Sequence, residues 1–505
     1  LSEQLNTPFI SLSTVPKNKD ILNTLSADIV HRYKVFPVKW DGNELYLATA
    51  NPDISNVFDE ISKLFKCKIR LLFATPEDIE QSIKTYYGPS REVISHGTDN
   101  IISNVIPLIN SIDQLSDKQV DDAGIVDLVN QILINAFNNR ATDIHFEPYK
   151  DEFRIRYRID GVLYSLPIQT KLKAFQSAIT SRIKVIAGLD ISERRLPQDG
   201  RMTVGISSNR NLDLRVSTLP TPFGESVQVR LFSANTFQLA DLGFSEVDLR
   251  IIESVLQKPH GLMFVTGPTG SGKTTTLYAC LHHLNTGSRK LISIEDPIEF
   301  QLRGITQVQV NPAINFTFAK ALRSMLRHDA DIMLVGEVRD PETANIAINI
   351  ALTGHLLLST LHANDAAGTF TRLFDMGIEP HLIASSVEYV VAQNLVRVLC
   401  PHCKVPEQLS QQELENIGFN NHNGAILYTA NGCDQCLHTG YYGQTTIYEH
   451  ILVDNDIRKL ILKRAPAHEI KNYVTEKGAL SMRQNGFEKV KQGITSIREV
   501  LEASY

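Results

Sequence analysis

Gly267-Pro268-Thr269-Gly270-Ser271-Gly272-Lys273-Thr274 is the stretch around which the rest of the chain can be read. The apolar run Leu262, Met263, Phe264, Val265 in front of it reads as a buried strand, and Thr275, Thr276, Leu277, Tyr278, Ala279 behind it start a helix. Strand, glycine-rich turn and helix in that order predict a phosphate-binding loop. The glycines let backbone N–H groups converge on phosphate oxygens, and the helix N-terminus favours an anion. Lys273 can reach the β- and γ-phosphates, and the Thr274 hydroxyl is the predicted Mg2+ ligand. Gly267 to Thr275 are the predicted nucleotide contacts.

Three further apolar strands follow, each ending in chemistry. Leu291 to Ile294 runs into Glu295-Asp296-Pro297-Ile298-Glu299, whose carboxylates can hold Mg2+ or its water shell. Ile332, Met333, Leu334, Val335 present Gly336-Glu337, with Glu337 placed to polarise the water that attacks a γ-phosphate. Leu356, Leu357, Leu358 lie between His355 and His362, either of which could contact that phosphate. Strands alternating with helical stretches predict a largely parallel α/β sheet with ligands at its strand C-termini.

With 505 residues the chain is too long for one core, and 43% hydrophobic with 21% charged residues is ordinary globular composition. A net charge of −6 gives no general pull toward nucleic acid. No apolar run approaches the roughly 18 residues of a membrane span, and residues 1–20 lack a signal-peptide pattern, so the cytoplasm is the expected location. The chain begins at Leu1 and not at Met, which leaves room for a trimmed start.

In chain order, residues 1–88 read as a small α/β domain. A helix near Leu25 to Tyr33 precedes strands at Val35–Val38 and Leu45–Ala48 around the turn Asp41-Gly42-Asn43. A helix from Asn56 to Phe65, a strand from Lys68 to Phe73, and a helix from Pro76 capped by Thr75 complete it. Residues 89–117 carry Pro, Gly, Ser and Asn but no aromatic residue, the composition of a flexible linker. Residues 118–237 form a second α/β domain, with Ile125 to Phe137 at helical spacing and Asp143 to Pro148 as a strand. Phe153, Ile155, Tyr157 and Ile159 alternate with Arg154, Arg156 and Arg158, a half-buried strand ended by the hairpin signal Asp160-Gly161. Arg215 and Arg230 sit on two further strands. Arginine there either lies in ion pairs or neutralises phosphate, and spacing alone leaves both open.

The phosphate-loop domain spans 238–395. Residues 396–444 hold Cys400-Pro401-His402-Cys403 and Cys433-Asp434-Gln435-Cys436, two C-x-x-C pairs that suit tetrahedral thiolate coordination of Zn2+. Their 29-residue spacer must contain an inserted loop or helix, and four thiolates leave no open position, so the zinc reads as structural. Cys67 and Cys280 read as ordinary buried cysteines. Residues 445–505 read as a small helical domain, with Ile457, Leu460, Ile461, Phe487 and Val490 at helical intervals.

Taken together these motifs resemble the secretion ATPase superfamily of type II secretion and type IV pilus systems, and most of all its type II secretion branch, component E. The resemblance rests on Ala141 to Pro148, Arg156 to Gly161, the phosphate loop and Glu295 to Glu299. It extends to Gly336-Glu337-Val338-Arg339-Asp340, Thr353-Gly354-His355 through Leu361-His362, the paired cysteines, Thr439-Gly440-Tyr441, and Gly486 to Gly493. It implies a RecA-like ATPase domain preceded by a PAS-like α/β domain. It also implies catalytic roles for Lys273, Glu299, Glu337, His355 and His362, with Arg215 and Arg230 reaching phosphate across a domain or subunit boundary. By resemblance the protein is a hexamer that hydrolyses ATP to drive pseudopilus assembly and protein export. Its partners would be itself, the cytoplasmic domain of platform protein L, platform protein F and acidic phospholipid, at the cytoplasmic face of the inner membrane.

Ser226, Gln444, His328 and Ala330 depart from the family pattern, none at a predicted phosphate or metal contact. A type IV pilus assembly ATPase is the alternative, although its N-terminal region is usually longer. A nucleic-acid motor is opposed by the absence of a basic stripe, so no nucleic-acid partner is expected. A nucleotide binder without hydrolysis is opposed by Glu337.

Overall fold

The computed structural model describes residues 8–10, 12, 21, 30, 35–41, 44–50, 68–76, 78, 79, 82, 122–166, 170–207, 210–232, 237–419 and 424–504. It divides into two units, Leu1–His96 and Gly97–Tyr505. In the first, β1 (Val35–Asp41) pairs antiparallel with β2 (Glu44–Thr49), which pairs parallel with β3 (Lys68–Phe73). Val35, Phe36, Leu45 and Leu47 are buried between them. The Thr75 hydroxyl accepts from the Asp78 N–H at 3.1 Å, the N-cap read from the sequence. The helices expected near 25–33 and 56–65, Cys67 and the 89–117 linker lie outside the described residues.

The described part of the second unit begins with the helix Asp122–Asn138 and a six-stranded sheet. Its strands are β4 (Ala141–Pro148), β5 (Phe153–Ile159), β6 (Val162–Ser165), β7 (Gln198–Ser207), β8 (Arg210–Thr221) and β9 (Gly224–Phe232). They are antiparallel in the order β6-β5-β4-β9-β8-β7. On β5 the alternating residues are buried, as the period-two pattern requires, and Asp160 (φ 49°) with Gly161 (φ 86°) turns the chain into β6.

The seven-stranded sheet that follows is built from β10 (Gly261–Thr266), β11 (Leu291–Glu295), β12 (Thr306–Gln309), β13 (Ile332–Val335), β14 (Leu356–Leu361), β15 (Val387–Leu399) and, beyond β16 (Val405–Glu407) and β17 (Leu427–Thr429), β18 (Tyr441–Leu452). Its order is β12-β11-β13-β14-β10-β15-β18, parallel except for the antiparallel edge pair β15–β18. Four of its strands, β10, β11, β13 and β14, are mostly apolar and buried along their whole length, the signature of a sheet covered on both faces.

Two expected boundaries do not coincide with breaks in this structure. β15 runs through residue 395 and β18 through residue 445, both inside the main sheet. The helix Asn455–Leu462 buries Ile457 and Ile461 in the same core as Leu262, Phe264 and Leu357. This helix therefore shares the core of the main sheet, because backbone pairing of β18 along β15 carries it there. A smaller cluster joins the cysteine module to the last helices, with Phe419 edge-on to Phe487 at 4.7 Å. Among the described residues no helix is long and apolar enough to cross a membrane.

Candidate functional site

β10 ends at Thr266, and the loop Gly267 to Gly272 turns into the helix Lys273–Leu284. Gly267 (φ 141°), Gly270 (φ 82°) and Gly272 (φ 84°) take backbone angles that side chains resist. A Cβ on Gly267 would stand 2.2 Å from the Gln393 carbonyl oxygen, so only glycine lets the loop pass β15. Lys273 Nζ donates to the loop's own Gly267 (2.9 Å) and Pro268 (2.8 Å) carbonyls. Burial lowers the Lys273 pKa, and the Glu337 charge offsets part of that.

Beside the loop lies a cavity of about 150 Å³, lined by Lys273, Thr274, Tyr278, Asp296, Glu299, Glu337, Thr360 and His362 among others. Two of the three acidic residues at the end of β11, Glu295 and Glu299, differ sharply. Glu295 is buried and committed, accepting from Tyr278 and, at 2.6 Å, from Ser293. Glu299 keeps a buried Oε2 without a hydrogen-bond donor, although Arg215 Nη1 stands 3.4 Å away. Burial raises the Glu299 pKa against the opposing charges of Arg215, Arg230 and Arg201. An orphaned carboxylate oxygen in a cavity that Thr274 also lines offers a donor set that fits a hard divalent cation or its water shell. Glu337 faces Arg339 and stands 3.5 Å from His362 Nε2.

Glu299, Glu337, His362 and the phosphate loop are thus brought together. His355 is not. It precedes β14, with Nδ1 3.3 Å from the Ile350 carbonyl, whereas His362 follows the same strand. The two lie about 23 Å apart along the chain at 3.3 Å per strand residue, and the parallel sheet puts the cavity at the His362 end. Arg215 reaches the cavity's edge, donating to the Ile298 carbonyl as well as pairing with Glu299. Arg230 instead donates from Nε to Asp143 Oδ1 at 2.9 Å.

Sequence reasoning missed Gln393. It is fully buried on β15, donates to the Ser271 carbonyl at 2.7 Å and accepts from Thr276 Oγ1 at 2.9 Å. Nothing in the sequence marks it, since its partners are 122 and 117 residues away.

Cys400, Cys403, Cys433 and Cys436 bring their Sγ atoms within 4.8 Å of one another. The Sγ separations Cys400–Cys433, Cys403–Cys436 and Cys433–Cys436, at 3.9, 3.7 and 3.7 Å, match the roughly 3.8 Å edge of a tetrahedron with Zn–S bonds of about 2.3 Å. Backbone N–H groups of Gly432, Cys433 and Gly440 point at the sulfurs, the outer contacts a thiolate cluster needs. His438 pairs with Asp434 instead. Between the cysteine pairs stand the β16–β17 ribbon and the helix Gln411–Asn416, the insertion the long spacer called for. Cys280 is buried, as read.

A buried parallel sheet with this loop after β10 and carboxylates after β11 and β13 of the same sheet is a RecA-like ATPase fold. The chain belongs to the type II/IV secretion system protein family, whose model matches residues 118–502, and an MshEN domain model matches residues 5–93. It is 42% identical to the type IV pilus assembly ATPase PilB of Myxococcus xanthus, over 99% of this chain and 89% of that protein. It is 46% identical to the type II secretion system protein E of Pseudomonas aeruginosa, over 77% of each. Among solved structures, the ATPase DotB of Legionella pneumophila shares the fold with a TM-score of 0.56 at 20% identity, over 74% of this chain and 95% of that one. The chain is a secretion ATPase by family.

Proposed function

We propose that this protein hydrolyses ATP at the Lys273–Glu337 cavity and uses the energy to drive pseudopilus assembly and protein export in type II secretion. The observation that carries the reading is the convergence of Lys273, Thr274, Glu299 and Glu337 on one cavity at the C-terminal ends of parallel strands. Lys273 exchanges its loop carbonyls for phosphate oxygens, and the loop N–H groups of Gly267 to Thr275 cradle the anion. Glu337 orients a water and takes its proton as the water oxygen bonds to the γ-phosphorus and the bond to ADP breaks. His362 neighbours the reacting phosphate. Thr274 and Glu299 hold Mg2+, which neutralises phosphate charge when bound. Arg215 and Arg230 add positive charge from the second domain, which we read as PAS-like. The four cysteines hold a structural Zn2+.

The working form in this reading is a hexamer at the cytoplasmic face of the inner membrane, docked on platform protein L and near platform protein F and acidic lipid. A second reading, type IV pilus assembly, is favoured by the 42% identity to the Myxococcus pilus ATPase over 99% of this chain. Glu337→Gln should lower kcat at least 100-fold while leaving MgATP affinity within about threefold, measured by phosphate release and calorimetry. Unchanged turnover would sink the hydrolysis assignment. Calorimetry of the full chain with the host's secretion and pilus platform domains then separates the two systems.

A further inference from the structure

We infer that Asp143 is a positioning residue that aims Arg230 at the nucleotide cavity; the inference rests on the phosphate role proposed for Arg230. The motif Ala141 to Pro148 stands out in the sequence, yet the hydrolysis chemistry leaves it without a task. The sheet register supplies one. Arg201 lies opposite Arg215, Arg215 opposite Arg230, Arg230 opposite Asp143, and Asp143 opposite Arg158. The five residues make one row across five adjacent strands, and the period-two pleat puts their side chains on one face. The other face carries the apolar core of Ile144, Met202, Leu214, Val216, Val229 and Leu231.

Three arginines side by side repel one another, since like charges directly opposite on a sheet are destabilising. The row is held from both ends. Toward the ATPase sheet, Arg201 Nη2 donates to Gln309 at 3.1 Å and Arg215 pairs with Glu299. On the far side stands Asp143, its side chain 6% exposed. It accepts from Arg230 Nε, from Gln228 Nε2 and from Thr142 Oγ1, each at 2.9 Å, and Arg158 Nε lies 3.9 Å away. Gln228 and Thr142 fix the carboxylate, and the carboxylate grips the inner nitrogen of Arg230. That grip leaves the outer edge of the guanidinium, the edge suited to bidentate contact with phosphate, out of the Asp143 contact. Without the carboxylate, Arg215 would push the half-exposed Arg230 side chain away from the row.

The test is a double-mutant cycle in the full chain, read as kcat and KM for MgATP. Asp143→Asn keeps the shape but not the charge, and should lower kcat about tenfold with KM nearly constant. Arg230→Ala should lower kcat by at least as much, and adding Asp143→Asn to it should cost nothing more. Arg230→Lys should behave like Arg230→Ala, because lysine has neither the inner N–H nor the planar fork. A full tenfold loss from Asp143→Asn in the Arg230→Ala background would overturn the positioning role alone. Wild-type kcat in Arg230→Ala would remove the phosphate reading and the positioning role with it. If Asp143→Asn does not fold, Arg230→Lys carries the test, and wild-type kcat there overturns the proposal.

Discussion

At the scale of single residues, the phosphate loop owes its shape to a side chain outside it. Gln393 ties the Ser271 carbonyl to the Thr276 hydroxyl, so the loop's last turn is braced from β15. Gln393→Leu keeps the volume and strands both partners in a buried setting, at a cost of about 1–3 kcal/mol for each unsatisfied group. We expect nucleotide affinity to fall about tenfold with the fold retained, measured with a fluorescent ADP analogue. Affinity equal to wild type would show that the loop holds its shape alone. Gly267 to Thr274 were legible in the sequence because every element of a phosphate loop lies within a few residues. Gln393 was not, because a brace from another strand leaves no local pattern. His355 and His362 look equivalent in sequence; strand polarity separates them.

At the scale of elements, local period did most of the work. The alternation on β5, the buried runs of β10, β11, β13 and β14, and the Thr75 cap all follow from short-range spacing. What spacing could not show is how the C-terminal helices meet. The helix Met482–Lys491 crosses the helix Ile497–Ala503 at Gly486, where a Cβ would stand 2.5 Å from Val500 Cγ1. Gly486→Ala should therefore destabilise the protein by about 1–3 kcal/mol through overpacking, despite the better helix propensity of alanine. Urea unfolding measures this, and Val500→Ala in the same chain should recover part of the loss. Greater stability in Gly486→Ala alone would refute the close approach.

At the scale of the molecule, the ATPase fold is closed by contacts between its first helix and its last strand. Asp248, in the helix Glu246–Leu256, stands 3.1 Å from His450 Nε2 on β18 and accepts from Tyr448 and Ser245, both at 2.6 Å. Burial would raise the Asp248 pKa, but the His450, Ser245 and Tyr448 contacts outweigh it and hold the carboxyl well below the usual range. A carboxyl depressed in the folded state contributes stability that is present above its unfolded pKa of about 3.9 and is lost as pH falls toward the folded value. Asp248→Asn should thus be less stable than wild type at neutral pH, with the difference shrinking as pH falls from 5 toward 2. Denaturant unfolding across that range checks it, and a constant difference would contradict it.

The sequence by itself determined the phosphate loop, the acidic strand ends, the parallel character of the sheet and the four-cysteine cluster, because each is written in residues close together along the chain. Only the tertiary structure decided which histidine meets the cavity, that β18 joins the main sheet, and that Arg201, Arg215, Arg230 and Asp143 form one row. Those depend on strand register and on pairing between distant segments, which backbone hydrogen bonds and core packing settle together and no local pattern records.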